Sequence, residues 1–136
     1  MSVSNIDRQI AEARARLRRL DPRQAAAAVQ AGALLVDIRP AEQRRREGVV
    51  PAAVAIERNV LEWRLDPTSE ARTTSLAGPD HIIVVLCSEG YASSLAAVSL
   101  HAIGLRAATD VIGGFRAWAA AGLPICRASG RLGGLA

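Results

Sequence analysis

Lysine is absent from this chain of 136 residues, so all 17 of its basic side chains are arginine. Together with abundant alanine, that usage looks like the coding bias of a GC-rich genome, and the net charge of +4 is weak evidence for a polyanionic partner. Arg14, Arg16, Arg18 and Arg19 form one group and Arg44, Arg45 and Arg46 another. Both lie in helical patterns with acids nearby and read as solvated helix faces. Aromatics are scarce as well. Trp63, Tyr91, Phe115 and Trp118 are the full set, so the core must be built from Ala, Val, Leu and Ile. No basic stripe with interleaved aromatics marks a nucleic-acid surface. No apolar run approaches the ~20 residues that span a bilayer, and Met1 to Arg8 carries no signal-peptide core. The expectation is a soluble cytoplasmic protein with neither a nucleic-acid nor a membrane partner. Cys87 and Cys126 make no disulfide framework, and with two histidines they fall short of a metal site.

What is present fits one domain. Ile6, Ile10, Ala13, Leu17 and Leu20 recur at spacings of three and four, which predicts an amphipathic helix over Asn5 to Leu20, an extension leaning on the domain. Asp21-Pro22 supplies a cap and first-turn proline for a second helix through Gln30, stopped by Gly32. Ala33 to Ile38 is an apolar run of strand length, Pro40 to Glu47 a short helix closed by Gly48, Val54 to Ile56 a brief strand, and Val60 to Leu65 a helical turn. After a polar connection over Asp66 to Asp80 come a strand over Ile82 to Leu86 and a helix from about Ala92 to Ile103. A strand around Ala108 to Val111 and a helix over Phe115 to Ala121 complete the pattern. The tail, residues 126 to 136 including Cys126, is Gly-rich and reads as flexible. Strands that alternate with helices and lack polar alternation predict an α/β fold, a parallel sheet covered by helices on both faces. In such sheets reactive groups gather at the carboxyl ends of the strands, where Asp37, Arg39, Arg58 and Cys87 all fall.

The stretch His81 to Ser94 carries the most chemistry. Its buried strand delivers Cys87 into a short Gly-containing loop just ahead of a helix, where converging N–H groups and a helix N-terminus favour the thiolate. His81, ahead of a strand, and His101, late in a helix, read as surface residues that are not placed to act as a base beside it.

Three separated motifs resemble the rhodanese family of sulfurtransferases. They are Leu35-Val36-Asp37-Ile38-Arg39-Pro40-Ala41-Glu42, the loop Cys87-Ser88-Glu89-Gly90-Tyr91-Ala92, and Gly113-Gly114-Phe115-Arg116-Ala117-Trp118 running on to Gly122-Leu123-Pro124. Glu47-Gly48-Val49-Val50-Pro51-Ala52-Ala53 is similar to a fourth family pattern, with a His and one Gly replaced. The resemblance covers roughly residues 21 to 125. It implies a rhodanese-like domain in which Cys87 takes sulfane sulfur from thiosulfate or a persulfide and passes it to a thiol, cyanide or a sulfur-relay protein. No metal or organic cofactor is implied. The loop backbone of Ser88, Glu89, Gly90, Tyr91 and Ala92 would bind the sulfur, Arg58 would orient an anionic donor, and Asp37 and Arg39 would form a structural ion pair beside the site. Glu89 either turns to solvent toward a neighbour such as Arg58, or selects against oxyanions in favour of neutral or protein-bound donors. Ala92 stands where many family members place Arg, Thr or Ser. Two alternatives stay open: a non-catalytic interaction module of the same fold, and a cysteine phosphatase or arsenate reductase. The last would require Arg six residues after the nucleophile, where this chain has Ser93.

Overall fold

The computed structural model describes residues 3–128. Four parallel strands, β1 (Leu34–Asp37), β2 (Val54–Ala55), β3 (Ile83–Leu86) and β4 (Ala108–Asp110), lie in the order β2-β1-β3-β4. Six helices surround them: α1 (Asn5–Ala15), α2 (Pro22–Gln30), α3 (Ala41–Glu47), α4 (Leu61–Leu65), α5 (Ala92–His101) and α6 (Gly114–Ala120). Among the described residues no helix is long and apolar enough to cross a membrane.

The two-residue period of the central strands divides the core in two. Val36, Ile83, Val85 and Cys87 join the cluster built with Leu61 and Leu65 of α4 and Leu100 of α5. Leu35, Val84 and Leu86 join the opposite cluster, with Ala25 of α2 and Phe115 and Trp118 of α6. Cys87 therefore leaves β3 on the α4–α5 side of the sheet.

Local chemistry explains the helix bounds. Ser4 caps α1 by accepting the Asp7 N–H at 3.0 Å, and Asp21 and Gln24 form a reciprocal capping box at the start of α2, with Pro22 in its first turn. The first helix stops at Ala15 rather than running to Leu20. Residues 18–20 turn extended because the end of β4 offers them partners. Leu20 N–H donates to Asp110 O, Ile112 N–H donates to Leu20 O, and the Thr109 hydroxyl donates to Arg18 O. Leu20 thus forms a parallel bridge with Val111. At the other end of the domain, Cys126 pairs its N–H and carbonyl with Val49, both at 2.8 Å, in an antiparallel bridge. The expected flexible tail is thus paired at its first residue, and its last eight positions, 129–136, lie outside the described residues.

Candidate active site

The strand ends bring the candidate residues together. β3 ends at Leu86, and the next residue, Cys87, is buried with its Sγ accepting two backbone N–H groups, Gly90 at 3.2 Å and Ser93 at 3.3 Å. A loop that curls its N–H groups onto a sulfur is an anion nest, suited to a thiolate or to a negatively charged sulfur bonded to it. Above it lies a cavity of about 510 Å³, lined by Ile38, Pro40, Glu57, Arg58 and Asn59 and by the loop itself.

The loop is held from below by the start of α6. Phe115 N–H donates to Cys87 O at 2.7 Å and Arg116 N–H to Ser88 O at 3.0 Å. This contact demands glycine on both sides. Gly90 adopts φ +86°, and a Cβ there would stand 2.7 Å from Gly113 N. A Cβ on Gly114, at φ +63°, would meet Cys87 O at 2.5 Å.

A buried ion network supports the same loop from its α3 side. Arg39 clamps Asp37 with Nε and Nη2 at 3.0 and 2.6 Å, reaches Glu47 at 3.0 Å and Gly48 O at 2.8 Å, and lies 4.2 Å from the Phe115 ring centroid. Glu47 in turn accepts the Ser88 hydroxyl at 3.0 Å. Burial pushes the Glu47 carboxyl up, but hydrogen bonds from Gln43, Ser88 and Arg39 and the Arg39 charge more than offset this and hold it below its ordinary value. Burial works against the charged Arg39 too, yet Asp37 and Glu47 raise its pKa overall.

Of the residues singled out from sequence, Cys87, Ser88, Glu89, Tyr91, Ala92, Arg58 and Arg39 line the cavity. Gly90 forms the loop floor, and Asp37 stays behind Arg39. Arg58 reaches the cavity, but its Nη1 donates to both carboxylate oxygens of Glu62 at 3.0 Å. Glu89 is half-exposed and faces Arg116, not Arg58, at 3.5 Å. The Ser93 hydroxyl is turned away from Cys87, donating to Asp110 at 2.7 Å. His81 bonds Ala77 N and Gly32 O, and His101 lies 2.8 Å from Ala108 O, so both serve the scaffold.

Arg14 and Arg19 correct the reading of their group as a solvated face. Both donate to the Gly90 carbonyl, at 2.7 and 3.0 Å, and Arg19 also clamps the fully buried Asp110 at 2.8 Å. Asp110 also accepts the hydroxyls of Ser93 and Ser94, both at 2.7 Å. No local spacing signals contacts across more than 70 positions. The one hint was an acid at the carboxyl end of β4.

The geometry of a cysteine loop after the third strand, clamped by a Gly-Gly helix start, agrees with a family match. The model of the rhodanese-like domain matches residues 21–121. The chain belongs to the rhodanese-like domain family. Among its relatives is the maize (Zea mays) adenylyltransferase and sulfurtransferase MOCS3-1, 38% identical over 85 residues, which are 62% of this chain and 18% of that protein. The rhodanese-like chain thus spans under a fifth of the length of that relative. A protein of unknown function and possible tyrosine phosphatase from Rhodopseudomonas palustris is 30% identical, with a TM-score of 0.77 over 92% of this chain and 96% of that one. The polysulfide-sulfur transferase homodimer of Wolinella succinogenes shares the fold at 24% identity, with a TM-score of 0.71 over 90% of this chain and 88% of that one.

Proposed function

We propose that this rhodanese-like domain is a sulfurtransferase that carries sulfane sulfur as a persulfide on Cys87. The observation that carries the reading is the Cys87 Sγ at the base of an open cavity, accepting the N–H groups of Gly90 and Ser93. The thiolate attacks the outer sulfur of a donor. The new bond joins that sulfur to Sγ, and the donor's sulfur–sulfur bond breaks with its electron pair leaving on the donor fragment, a thiolate or sulfite. A nucleophilic acceptor then attacks the bound sulfur and releases the Cys87 thiolate, so the cycle is ping-pong. The loop N–H groups hold negative charge in both halves.

Charge at the cavity favours an uncharged or protein-borne persulfide over thiosulfate. Glu57 borders the opening without an ion pair among the described residues, and Glu89 is paired with the exposed Arg116 at 3.5 Å. The cations beside the opening, Arg58 and Arg39, are already paired with Glu62 and with Asp37 and Glu47. A phosphoryl-transfer reading, suggested by the description of the Rhodopseudomonas protein, lacks its main device. Position 93 holds a serine bonded to Asp110, and nothing in the loop offers a guanidinium fork to a phosphate.

Intact-mass measurement after incubation with thiosulfate, an organic persulfide or a protein persulfide tests the assignment. In a Cys126→Ser background, which removes the exposed second thiol, the parent should gain one sulfur atom, removable by cyanide or a thiol, and Cys87→Ser should gain none. A parent that takes up no sulfur from any of these donors, or a Cys87→Ser variant that loads like the parent, overturns it. In that event the non-catalytic interaction module becomes the reading to pursue.

A further inference from the structure

The loop from Ser88 to Ser93 contains no cation, yet a cation reaches it from outside. Arg14, on the last turn of α1, is partly buried and directs its guanidinium at the loop. Its Nη2 donates to Gly90 O at 2.7 Å, its Nε donates to Ser94 Oγ at 3.2 Å, and its Cζ lies 5.1 Å from the Tyr91 ring centroid. Among the described residues Arg14 makes no ion pair, in contrast to Arg19 beside it, whose charge is taken up by Asp110. A partly buried guanidinium without a carboxylate keeps its field, and burial lowers the screening around it.

The acceptor of that hydrogen bond matters. Gly90 O belongs to the peptide unit that joins Gly90 to Tyr91, and the preceding unit presents Gly90 N–H to Cys87 Sγ at 3.2 Å. The peptide is trans, so the Tyr91 N–H points away from Arg14 while the carbonyl points toward it. Charge-assisted donation to the carbonyl fixes Gly90 in place, and with it the Gly90 N–H that donates to Sγ.

We propose that Arg14 is a positioning residue for Cys87: from behind the loop it supplies the cation the loop lacks, stabilising negative charge on the sulfur by its field and by holding Gly90, whose own N–H donates to Sγ. The arrangement separates two requirements. A cation inside the cavity would aid the thiolate and also draw in oxyanions, whereas one behind the loop aids the thiolate and leaves the donor face, with Glu57 and Glu89, unfavourable to them. The inference rests on the reading of Cys87 as the reactive thiol.

The test is the rate of Cys87 alkylation at fixed pH in the full chain, in a Cys126→Ser background that removes the exposed second thiol, whose bridge to Val49 uses backbone atoms alone. Arg14→Gln should react about threefold to tenfold more slowly with both neutral iodoacetamide and anionic iodoacetate, since the charge acts on the sulfur and not on the reagent. Arg14→Lys should stay within about twofold of the parent, because it keeps the charge. Parental rates in Arg14→Gln, a loss confined to iodoacetate, or an Arg14→Lys variant as slow as the glutamine variant each overturn the proposal. Should Arg14→Gln fail to fold by circular dichroism, Arg14→Lys decides alone, with near-parental alkylation supporting the proposal and a clear loss overturning it. Persulfide loading of the parent is followed in parallel. If loading fails while alkylation still depends on Arg14, the sulfur-carrier reading falls and this one stands.

Discussion

Gly114 lies directly against the carbonyl of Cys87, so close that a Cβ added to it would stand 2.5 Å from that oxygen. The same carbonyl accepts the Phe115 N–H at 2.7 Å, so the peptide of Cys87 is fixed to the start of α6. Gly114→Ala must push the loop and helix apart and also adopt φ +63° with a side chain. A loss of about 1–3 kcal/mol in urea unfolding is expected, with sulfur loading of Cys87 reduced further than the folded fraction explains. Loading measured by intact mass at equal folded concentration checks the second part.

The buried clamp on Asp37 should be among the most sensitive points of the fold. Replacing Arg39 with Leu leaves a carboxylate with almost no solvent access and without its cation. The expected cost is about 3–5 kcal/mol, read from chemical denaturation. Arg39→Lys should recover little, because one ammonium cannot serve Asp37, Glu47 and Gly48 O together as the fork does.

Glu47 should make stability depend on acid. Its folded pKa is held below the ordinary value of 4.5, so its contribution is fully present above that value and is lost as pH falls through the lower folded one. The urea midpoint of the parent should therefore hold from neutral pH down to about pH 5 and fall as pH drops below the ordinary value of 4.5. Glu47→Gln should show a smaller drop over the same range, from a lower starting stability. An identical acid profile for the two proteins would remove Glu47 from this role.

Donor choice should follow the acids at the cavity and not Arg58. Glu89→Gln is expected to lower the KM for thiosulfate about twofold to fivefold, an effect that shrinks with added salt, and to leave a neutral organic persulfide unaffected. Arg58→Gln should change the thiosulfate KM by less than about threefold, because Glu62 already holds the guanidinium at 3.0 Å. Steady-state kinetics with both donors tests the pair.

Much of the architecture was legible because its signals are local. Apolar runs bounded by Gly and Pro mark β1 and β3, the Asp21-Pro22 cap marks α2, and the loop between β3 and α5 sets Cys87 at a strand end. The error at residues 17–20 is equally physical. Leu17 and Leu20 satisfy a helical period, but three-residue spacing says nothing about the unfilled backbone partners at the end of β4 that draw Leu20 into a bridge with Val111. The arginine ligands of the loop were hidden for the same reason. Arg14 resembles any exposed helix arginine until α1 is laid on α5, which brings Gly90 O to it from 76 positions away. Glu47 sat inside a recognised motif, yet its role appears only when Ser88 and Arg39 converge on its carboxylate.

The hub at Asp110 also bears on how portable this domain is. The family match begins at residue 21, whereas the cation neutralising a carboxylate with no solvent exposure comes from Arg19, and Leu20 extends the sheet's edge. A graft cut at the family boundary would carry every motif residue and still strand a buried charge beneath its own Cys87 loop. The smallest transplantable unit therefore starts upstream of Arg19, and sequence motifs alone would place the cut in the wrong position.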